Sequence, residues 1–400
     1  MNRDPSQERY LLGTTIPFIL AHVACFAAIW TGVSVADVAL CAGLYAARMF
    51  GVTGGYHRYF SHRTYKTSRV MAFILGFLAQ SSAQRGILWW AGTHRHHHRF
   101  SDGPEDVHSP VRRSFVYSHV GWIFSTRYDR TDLSLVPDLA KYPELLWLER
   151  HPYLPAILTG FVVWLLAGWS GLVVGFLWST VLCWHATFAI NSLAHIHGSR
   201  RYVTGDQSRN NWWLALLTFG EGWHNNHHHY QGSVKQGFRW YEIDVSYYVL
   251  RAMSAVGLVW DLRLPSGRAI QYGEKLTPAV VEKAAGQLAA SFPVEGIAAD
   301  LRARLAEKRG HVQHELAELI DRWHRQLDEK VEHLRHDLDE LFHAIHVPAM
   351  PTMAELREKA AGMFAQTPNL NDIAERTRQI LIDGVRDELL GRRAMAAAAH

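Results

Sequence analysis

Long apolar segments alternate with polar, histidine-rich segments over the first two thirds of the chain. Leu11–Trp30 is the first apolar run, and Val35–Thr53 follows it after a short polar turn. Tyr153–Trp169 and Leu172–Ile190 form a second pair of apolar runs around another short turn. A helix needs about 20 apolar residues to cross the hydrocarbon core of a bilayer. The pattern therefore predicts four membrane-spanning helices in two hairpins.

A fifth uncharged run, Val70–Gln84, lies between two of the histidine-rich segments. If this run crossed the membrane, the segments on its two sides would face opposite compartments and could not act together. We therefore expect it to lie along the membrane interface or to dip into it. Trp89 and Trp90 follow this run, and the apolar Tyr247–Trp260 resembles it. Because tryptophan is common at membrane interfaces, these segments are predicted to be interfacial.

The distribution of basic residues predicts the orientation in the membrane. The two turns, 31–36 and 168–171, contain no Lys or Arg, whereas the loops with the histidine-rich segments contain many. Cytoplasmic loops of membrane proteins carry an excess of Lys and Arg. We therefore expect both termini and the histidine-rich segments to face the cytoplasm.

The composition changes from apolar to charged after Pro265. Within this part, His311–His346 repeats apolar residues at steps of three and four, a pattern typical of an amphipathic helix or a coiled coil. The sequence thus predicts a membrane domain at 1–268 and an amphipathic, coiled-coil-like helical extension at 269–400. This extension could dock on the first domain, lie on the membrane, or join two copies into a homo-oligomer.

Composition also limits the possible functions. The formal net charge is only +4, which gives no reason to expect a nucleic-acid partner. Three cysteines, Cys25, Cys41 and Cys183, lie inside apolar runs and are expected to be small buried side chains. Neither a disulfide framework nor a cysteine-ligated cluster is predicted. The unusual count is that of histidine, with 25 residues.

The histidines cluster in three short boxes. The first box has the pattern HxxxxH and the other two have the pattern HxxHH, which gives His57 and His62, then His94, His97 and His98, and then His224, His227 and His228. On an α-helix the positions i, i+3 and i+4 share one face, so each HxxHH triplet is expected to point together. Imidazole binds iron, zinc, copper and nickel. Three such boxes beside apolar segments predict a shared metal site.

His57 and His62 raise a question of helical phase. Five residues apart on a regular α-helix, their side chains would diverge by about 140°. Either the helix is broken between them, or the two residues bind different ions. His195 follows the last apolar run, with Asn191 one turn before it on the same helix face. His195 brings the candidates to nine, more than one ion of ordinary coordination can use, so two ions are predicted. His96, His197 and His229 are left over.

Four segments resemble the integral-membrane acyl desaturases, the family that includes stearoyl-CoA desaturase and its bacterial relatives. The matching segments are Gly51–Arg63, Thr93–Phe100, Asn191–His195 and Gly220–His228, and the resemblance extends over about residues 10–262. It implies an all-α protein of the bacterial inner membrane, with four transmembrane helices in two hairpins. A cytoplasmic helical cap would carry the histidine-box di-metal site.

The resemblance also implies the chemistry. It selects two iron ions in a non-haem di-iron centre, with the nine candidate histidines as ligands and with Asn191 in contact through water. The implied reaction uses O2 to remove two hydrogens from a saturated acyl chain, which leaves a cis double bond at the delta-9 position. A saturated chain offers no handle for acid–base groups, so no catalytic residues beyond the metal ligands are expected.

Such a reaction needs partners. Reduction of O2 to water takes two electrons from outside, and the chain has no dinucleotide, flavin or cysteine-cluster motif. We expect a separate donor such as a ferredoxin, a rubredoxin or a cytochrome b5-type protein with its reductase. The acyl chain could be linked to CoA, a carrier protein or a membrane lipid. Ser101–Arg150 is expected to be soluble surface over the site, and three of its arginines could bind a head group, namely Arg112, Arg113 and Arg127.

Two other functions share part of this pattern. A membrane di-iron hydroxylase of fatty acids or alkanes would have the same boxes, although the Asn191–His195 spacing and the Gly220–His228 string favour the desaturase. A membrane metal transporter or binding protein would place ionisable groups inside its spans. Here the boxes lie outside them, and the exceptions are expected to mark helix ends or packing, namely His22, Asp37, Arg48 and His185.

Overall fold

The computed structural model describes most of the chain, namely residues 10–270, 278–323, 350–364 and 370–389. The chain folds into two compact units, Met1–Glu274 and Lys275–His400. The described parts of both units are mainly helical.

Helices make up most of the described part of the first unit. Its α-helices are α1 Leu12–Cys25, α2 Ala28–Thr31, α3 Val35–Phe50, α4 Arg69–Gln80, α5 Ile87–Phe100, α6 Phe115–His119, α7 Pro137–Ala140, α8 Pro143–Arg150, α9 Leu154–Ser170, α10 Ser179–Ser192, α11 Trp212–Leu217, α12 His224–His229, α13 Val245–Ala255 and α14 Gly267–Ile270. Two further segments, Gly51–Ser61 and Gly171–Trp178, are π-helices. Short 3-10 helices cover Gly121–Phe124, Thr126–Tyr128, Leu133–Leu135 and Leu193–His195.

One small sheet departs from the all-helical prediction. β1, Lys66–Thr67, pairs antiparallel with β2, Val259–Trp260, so that Lys66 lies opposite Trp260. The second strand falls inside the segment predicted as one interfacial helix, which instead ends at Ala255. Gly257 follows the helix with a φ of 77°, a conformation that glycine adopts without steric cost.

Three helical segments of the described chain are long and apolar enough to cross a membrane, namely Leu12–Thr31, Val35–Ser61 and Leu154–His195. The last has 42 residues, about twice the length that one crossing needs. It reverses at Gly168, where φ is 65° and ψ is −159°. After the reversal Phe176 packs against Ala156 and Val163. This segment is therefore a hairpin of two antiparallel arms.

Both hairpin turns lie at the same end of the first unit. Ser34 and Asp37 form a capping box at the start of α3, and the hydroxyl of Ser170 in the second turn donates to the Asp37 carboxylate over 3.3 Å. From this end, α3 continues without a break into the first π-helix, and the second π-helix continues into α10. Both segments thus lead to the opposite end, where the histidine boxes lie.

Arg48 ties these two segments together inside the first unit. Its side chain is 1% exposed. The guanidinium donates to the Thr180 hydroxyl over 2.5 Å and to the Phe176 carbonyl over 3.2 Å. His22 and His185 form a similar link, because their Nε2 atoms are 2.9 Å apart. These contacts agree with the packing role expected of the charged and polar residues within the spans.

α4 is too short to be a span. Its 12 residues extend about 18 Å at 1.5 Å per residue, less than the hydrocarbon core of a bilayer. The first π-helix packs closely on it, because a Cβ at Gly51 would lie 2.8 Å from the backbone nitrogen of Ala79. Glycine at this position therefore lets the two backbones approach.

The second unit has its own small hydrophobic core. Its described helices are α15 Pro278–Ala289, α16 Val294–Trp323, α17 Met353–Phe364 and α18 Leu370–Leu389. Ala289, Leu356, Ala374 and Leu381 form a buried cluster among these helices. The predicted apolar repeat at 311–346 begins inside α16, and its part beyond Trp323 lies outside the described residues.

Candidate metal centre

All nine candidate histidines meet at the end of the first unit opposite the two turns. They form two groups, and within each group one ring nitrogen per residue lies within 4.8 Å of the others. The five-histidine group contains His57, His62, His94, His98 and His227. The four-histidine group contains His97, His195, His224 and His228. Two adjacent groups of this kind have the composition of a site for two metal ions.

The π-helix explains why His57 and His62 share one group. The backbone N–H of His62 donates to the carbonyl oxygen of His57 over 3.2 Å, and a bond between residues five apart defines a π-helix. Five residues therefore make about one turn, and the two ring centroids are 4.8 Å apart. The sequence left two alternatives for this pair, a broken helix or two different ions. Both alternatives assumed an α-helix, so neither is needed here.

The second and third boxes each contribute to both groups. On α5, His94 and His98 point into the five-histidine group and His97 into the four-histidine group. On α12, His227 belongs to the five-histidine group, and His224 and His228 belong to the four-histidine group. The three histidines of each triplet therefore lie on one side of their helix, as predicted. They do not all enter the same group, because this side of the helix faces the boundary between the two histidine groups.

Ring nitrogens in the five-histidine group face one another closely. Successive Nε2 atoms are 2.9 to 3.0 Å apart along the series His62, His94, His98, His227 and His57. A neutral imidazole has one N–H donor and one lone pair. The Nδ1 of His57 already faces the Glu221 carboxylate at 2.5 Å, so its Nε2 carries a lone pair. Alternating protonation along the series would make the single N–H of His227 and that of His94 each serve two acceptors, whereas a metal cation among the nitrogens can accept all five lone pairs.

A similar excess of lone pairs marks the four-histidine group. The Nε2 atoms of His195 and His224 are 3.1 Å apart. The buried Nε2 of His228 has no hydrogen-bond partner within the described chain, although most buried polar atoms in proteins have one. This donor set also fits a metal cation.

Burial favours the neutral, metal-binding form of six of these imidazoles. Together with neighbouring histidines, burial holds the pKa well below the usual value for His62, His94, His98, His224 and His227. For His228, burial outweighs the attraction of Asp206 and lowers the pKa to about 4.

Four buried carboxylates fix the orientation of four of these rings. Each lies against an Nδ1 atom, in the pairs Asp102–His195 at 2.9 Å, Asp106–His97 at 2.8 Å, Asp206–His228 at 2.8 Å and Glu221–His57 at 2.5 Å. A carboxylate on Nδ1 directs the other ring nitrogen, Nε2, towards a metal. Burial alone would raise the pKa of the Asp206 carboxyl, but the facing His228 brings it well below its usual range.

These carboxylates were not among the sequence candidates. Asp102 and Asp106 lie in Ser101–Arg150, which was predicted to be soluble surface, yet both are buried against the histidines. Asp206 lies in a loop and Glu221 precedes the third box. Single acidic residues in loops have no periodic spacing, so only the short distance of Glu221 from the box offered a signal.

Asn191 borders the site without belonging to either group. With His94, His97 and His224 it lines a cavity of about 40 Å³, which has room for a water molecule. The predicted common helix face with His195 is not observed. α10 ends at Ser192, and a 3-10 turn carries His195.

Trp89 and Trp90 were predicted to lie at the membrane interface, but they pack inside the first unit. Trp89 is buried and stacks on Trp122 with ring centroids 5.9 Å apart. Trp90 lies nearly parallel to Tyr56 and stacks against His94, at centroid distances of 5.2 and 5.0 Å. Both rings therefore form part of the wall of the site.

An apolar cavity of about 330 Å³ leads to the histidines. α1, α5 and α10 supply most of its wall, with Pro17, Phe18, Trp90, Trp184 and Phe188, and it reaches His94 and Asn191. Its size and aromatic lining are typical of pockets that bind small apolar ligands.

The three arginines predicted for a head group do not line this cavity. Arg112 donates to the backbone oxygen of Asp102 over 2.9 Å. Arg113 lies over Tyr117 at 3.6 Å from the ring centroid, and Arg127 over Tyr128 at 5.3 Å. Arg85 lines the cavity instead, and its φ of 67° is rare for a residue with a side chain.

The bundle of long apolar helices and the buried histidine centre define a membrane-associated protein with a site suited to metal. The fatty acid desaturase family matches residues 18–259, which is more than half of the chain. This protein belongs to the fatty acid desaturase family, and it is therefore an oxidoreductase that acts on fatty acyl chains.

Three characterised relatives illustrate the range of the family. Identity is 34% to a hex-5-enoyl-[acyl-carrier protein] acetylenase of Moorena producens (strain JHB), over 66% of this chain and 88% of the relative. Identity to an acyl-CoA 5-desaturase of Anemone leveillei is 36%, over 61% of this chain and 77% of the relative. Identity to the sn-1 stearoyl-lipid 9-desaturase of Anabaena variabilis is 35%, over 62% of this chain and 93% of the relative.

Proposed function

We propose that this protein introduces a cis double bond at the delta-9 position of a saturated acyl chain, with O2 as oxidant. The observation that supports this most is the apolar cavity that reaches His94, beside the boundary of the two histidine groups. We propose that the nine histidines hold two iron ions, one in each group, and that Asn191 contacts the centre through water. Bound iron would supply the activation of O2 and the removal of hydrogen.

The described residues near the site hold the substrate and the ligands in place. Aromatic walls in the cavity exclude water and align an acyl chain beside the histidines. The four carboxylates keep the rings of His57, His97, His195 and His228 turned towards the ions. Delta-9 chemistry is supported by the Anabaena relative, which is a 9-desaturase. The carrier of the acyl chain is CoA, a carrier protein or a lipid, as the names of the relatives illustrate.

We propose a four-span topology with the site on the cytoplasmic side. The hairpin at Gly168 supports four crossings from three apolar segments. The contact between Ser170 and Asp37 supports a common side for the two turns. The absence of Lys and Arg from these turns supports a location away from the cytoplasm.

A second, polar pocket offers a route for electrons. It is lined by Ser61, His62, Arg95, His98, Arg99, Gln231 and Gly232. Arg99 is exposed at its rim. We propose that an external donor with an acidic surface, such as a ferredoxin, docks here, because opposite charges speed association. Arg99→Glu should slow reduction by the donor and leave the iron content unchanged; equal reduction rates would contradict this site.

We further propose that 1–268 is the catalytic membrane domain and that 269–400 is a separate helical extension. The division of the chain into two compact units near residue 274 supports this boundary. A protein that ends at residue 274 should therefore bind as much iron as the full chain and keep its desaturase activity. Loss of iron from the shortened protein would contradict the proposal.

A matched pair of histidine variants tests the function. His228→Ala should abolish desaturation, by at least about 100-fold, because it removes a ligand. His229→Ala should keep most activity, because His229 stacks on Tyr202 and faces the Ala269 carbonyl. Lipid analysis after expression in a host without unsaturated-lipid synthesis gives the readout. Full activity of His228→Ala would refute its assignment as a metal ligand, a wild-type protein that forms no unsaturated lipid would refute the proposed function, and hydroxylated products would favour the hydroxylase.

A further inference from the structure

The two histidine groups differ in the negative charge around them. Three carboxylates contact the four-histidine group through Nδ1 atoms, namely Asp102, Asp106 and Asp206. Among the described residues, Glu221 is the one carboxylate that contacts the five-histidine group in this way. The four-histidine group has one neutral imidazole fewer than the five-histidine group. This difference of one neutral ligand does not offset the difference in the number of carboxylates.

A buried arginine partly neutralises the negative charge of Glu221. The Nε of Arg58 is 3.1 Å from the Glu221 carboxylate, and both side chains are buried. Arg58 also contacts Asp244 at 2.9 Å. Glu221 and Asp244 therefore share one guanidinium, and the three ionised side chains together carry one net negative charge, fewer than the three of the aspartates beside the four-histidine group.

The carboxylates of the three aspartates receive hydrogen bonds from neutral groups, and the nearby guanidinium of Arg200 donates to the backbone oxygen of Asp206 rather than to its carboxylate. The Ser109 hydroxyl donates to Asp102 over 2.6 Å, and the backbone N–H of Asp102 donates to Asp106 over 2.6 Å. Asp206 accepts from the Ser208 hydroxyl over 2.5 Å. These donors carry no net charge, so they offset the negative charge of the aspartates less than Arg58 offsets that of Glu221.

We propose that the four-histidine position stabilises the more highly charged ion, so that the five-histidine position is reduced first. The inference depends on the proposed two-iron centre. Negative charge in a buried site stabilises a trivalent ion more than a divalent one. Reduction at either position adds one electron from an external one-electron donor and converts ferric to ferrous ion. The position with less carboxylate charge around it therefore has the higher reduction potential.

The accessibility of the two groups agrees with this order. All four residues of the four-histidine group are buried, whereas three of the five others are partly exposed. Two of those three, His62 and His98, line the polar pocket proposed for the electron donor. The first electron would thus arrive at the position that accepts it more readily.

Redox titration of the full-length protein in detergent tests the proposal. The protein is loaded with ⁵⁷Fe, oxidised in air, and reduced stepwise with dithionite and mediators under Mössbauer spectroscopy. We expect two separate one-electron steps and, after one electron, a ferrous and a ferric ion with distinct spectra. Asp206→Asn should raise the lower midpoint potential and leave the upper one unchanged. Glu221→Gln should shift the upper one, and Asp132→Asn, an acid-to-amide change at an exposed helix cap, should shift neither.

The outcomes separate this inference from the proposed function. Fewer than two irons in the wild-type protein would refute the proposed function itself. Two irons with a single shared potential, or an Asp206→Asn variant that moves only the upper potential, would overturn the inference alone. If Asp206→Asn loses one iron, the remaining iron must show the upper potential of the wild type; the lower potential would overturn the inference. Asp102→Asn repeats the test at a second carboxylate.

Discussion

Each histidine of the candidate centre has two ring nitrogens, and for four of these residues a neighbouring carboxylate decides which nitrogen faces the site. A carboxylate on Nδ1 leaves Nε2 free for a metal, as the contact between Asp106 and His97 illustrates at 2.8 Å. His96, on the same helix, instead places its Nε2 2.9 Å from the carbonyl oxygen of Glu105 and points away. The direction in which a histidine ring points in this structure thus depends on its hydrogen-bond partner as much as on its place in a box.

Gly222 provides a test at the residue scale. A Cβ at this position would lie 2.1 Å from the backbone nitrogen of Ala215 and 2.5 Å from the carbonyl oxygen of Asn211. Gly222→Ala should therefore push α12 away from α11, at a cost of about 1–3 kcal/mol for overpacking, and reduce the iron content.

Gly43→Ala is the control for this variant. Gly43 is exposed on α3, and a Cβ there would meet nothing within 4 Å. Alanine in a helix should keep or raise stability, by up to about 1 kcal/mol. Iron analysis and thermal unfolding measure both variants, and equal iron content in the two would contradict the account of Gly222.

At the scale of residues, the sequence predicted that the nine histidines lie together, as they do, but it did not predict their carboxylate partners. The i, i+3, i+4 spacing of His94, His97 and His98 is visible along the chain because one helix carries all three. The pairing of Asp102 with His195 joins residues that are far apart in sequence. Only the folded chain brings such residues together, so no local pattern could indicate the pair.

At the scale of elements, two π-helices shape the first unit. The one at Gly51–Ser61 places His57 and His62 on a common face, which an α-helix would not do. Apolar length predicted the spans, such as Leu11–Trp30, and the observed Leu12–Thr31 is close to that range. It did not predict the π-helix, because hydropathy does not distinguish a bond between residues five apart from one between residues four apart.

The wall that α1 adds to the apolar cavity gives a test at this scale. Thr14 lines the cavity, whereas Ile16 on the same helix is 51% exposed. Thr14→Trp should fill part of the cavity and lower the turnover of long acyl chains more than that of short ones. Ile16→Trp should leave the chain-length profile unchanged. Product analysis with a mixture of acyl chains distinguishes the two, and identical profiles would show that the cavity does not hold the acyl chain.

For the whole molecule, the proposed orientation of the first unit connects the fold to the supply of substrate and electrons. With the turns on one side and the histidines on the other, the acyl cavity would border the bilayer and the polar pocket would face the cytoplasm. The distribution of Lys and Arg along the sequence was sufficient to propose this arrangement. The change in composition near Pro265 is the basis for the proposed domain boundary at residue 268, and the chain divides into two compact units at residue 274.

Labelling of single cysteines tests the orientation. In a background with Cys25, Cys41 and Cys183 replaced by alanine, Val33→Cys should react with an impermeant reagent from outside intact cells, because Val33 is 53% exposed in the first turn. Ser134→Cys, at an exposed position in the segment between the second box and the second hairpin, should react only after the cells are opened. Labelling of Ser134→Cys in intact cells would reverse the proposed orientation.

Location of the metal itself tests the central claim most directly. Crystals of the purified, iron-loaded protein can be measured on both sides of the iron absorption edge, so that an anomalous difference map identifies iron positions. The account predicts two peaks, one among the nitrogens of the five-histidine group and one among those of the four-histidine group. A single peak, or iron bound outside these groups, would contradict it.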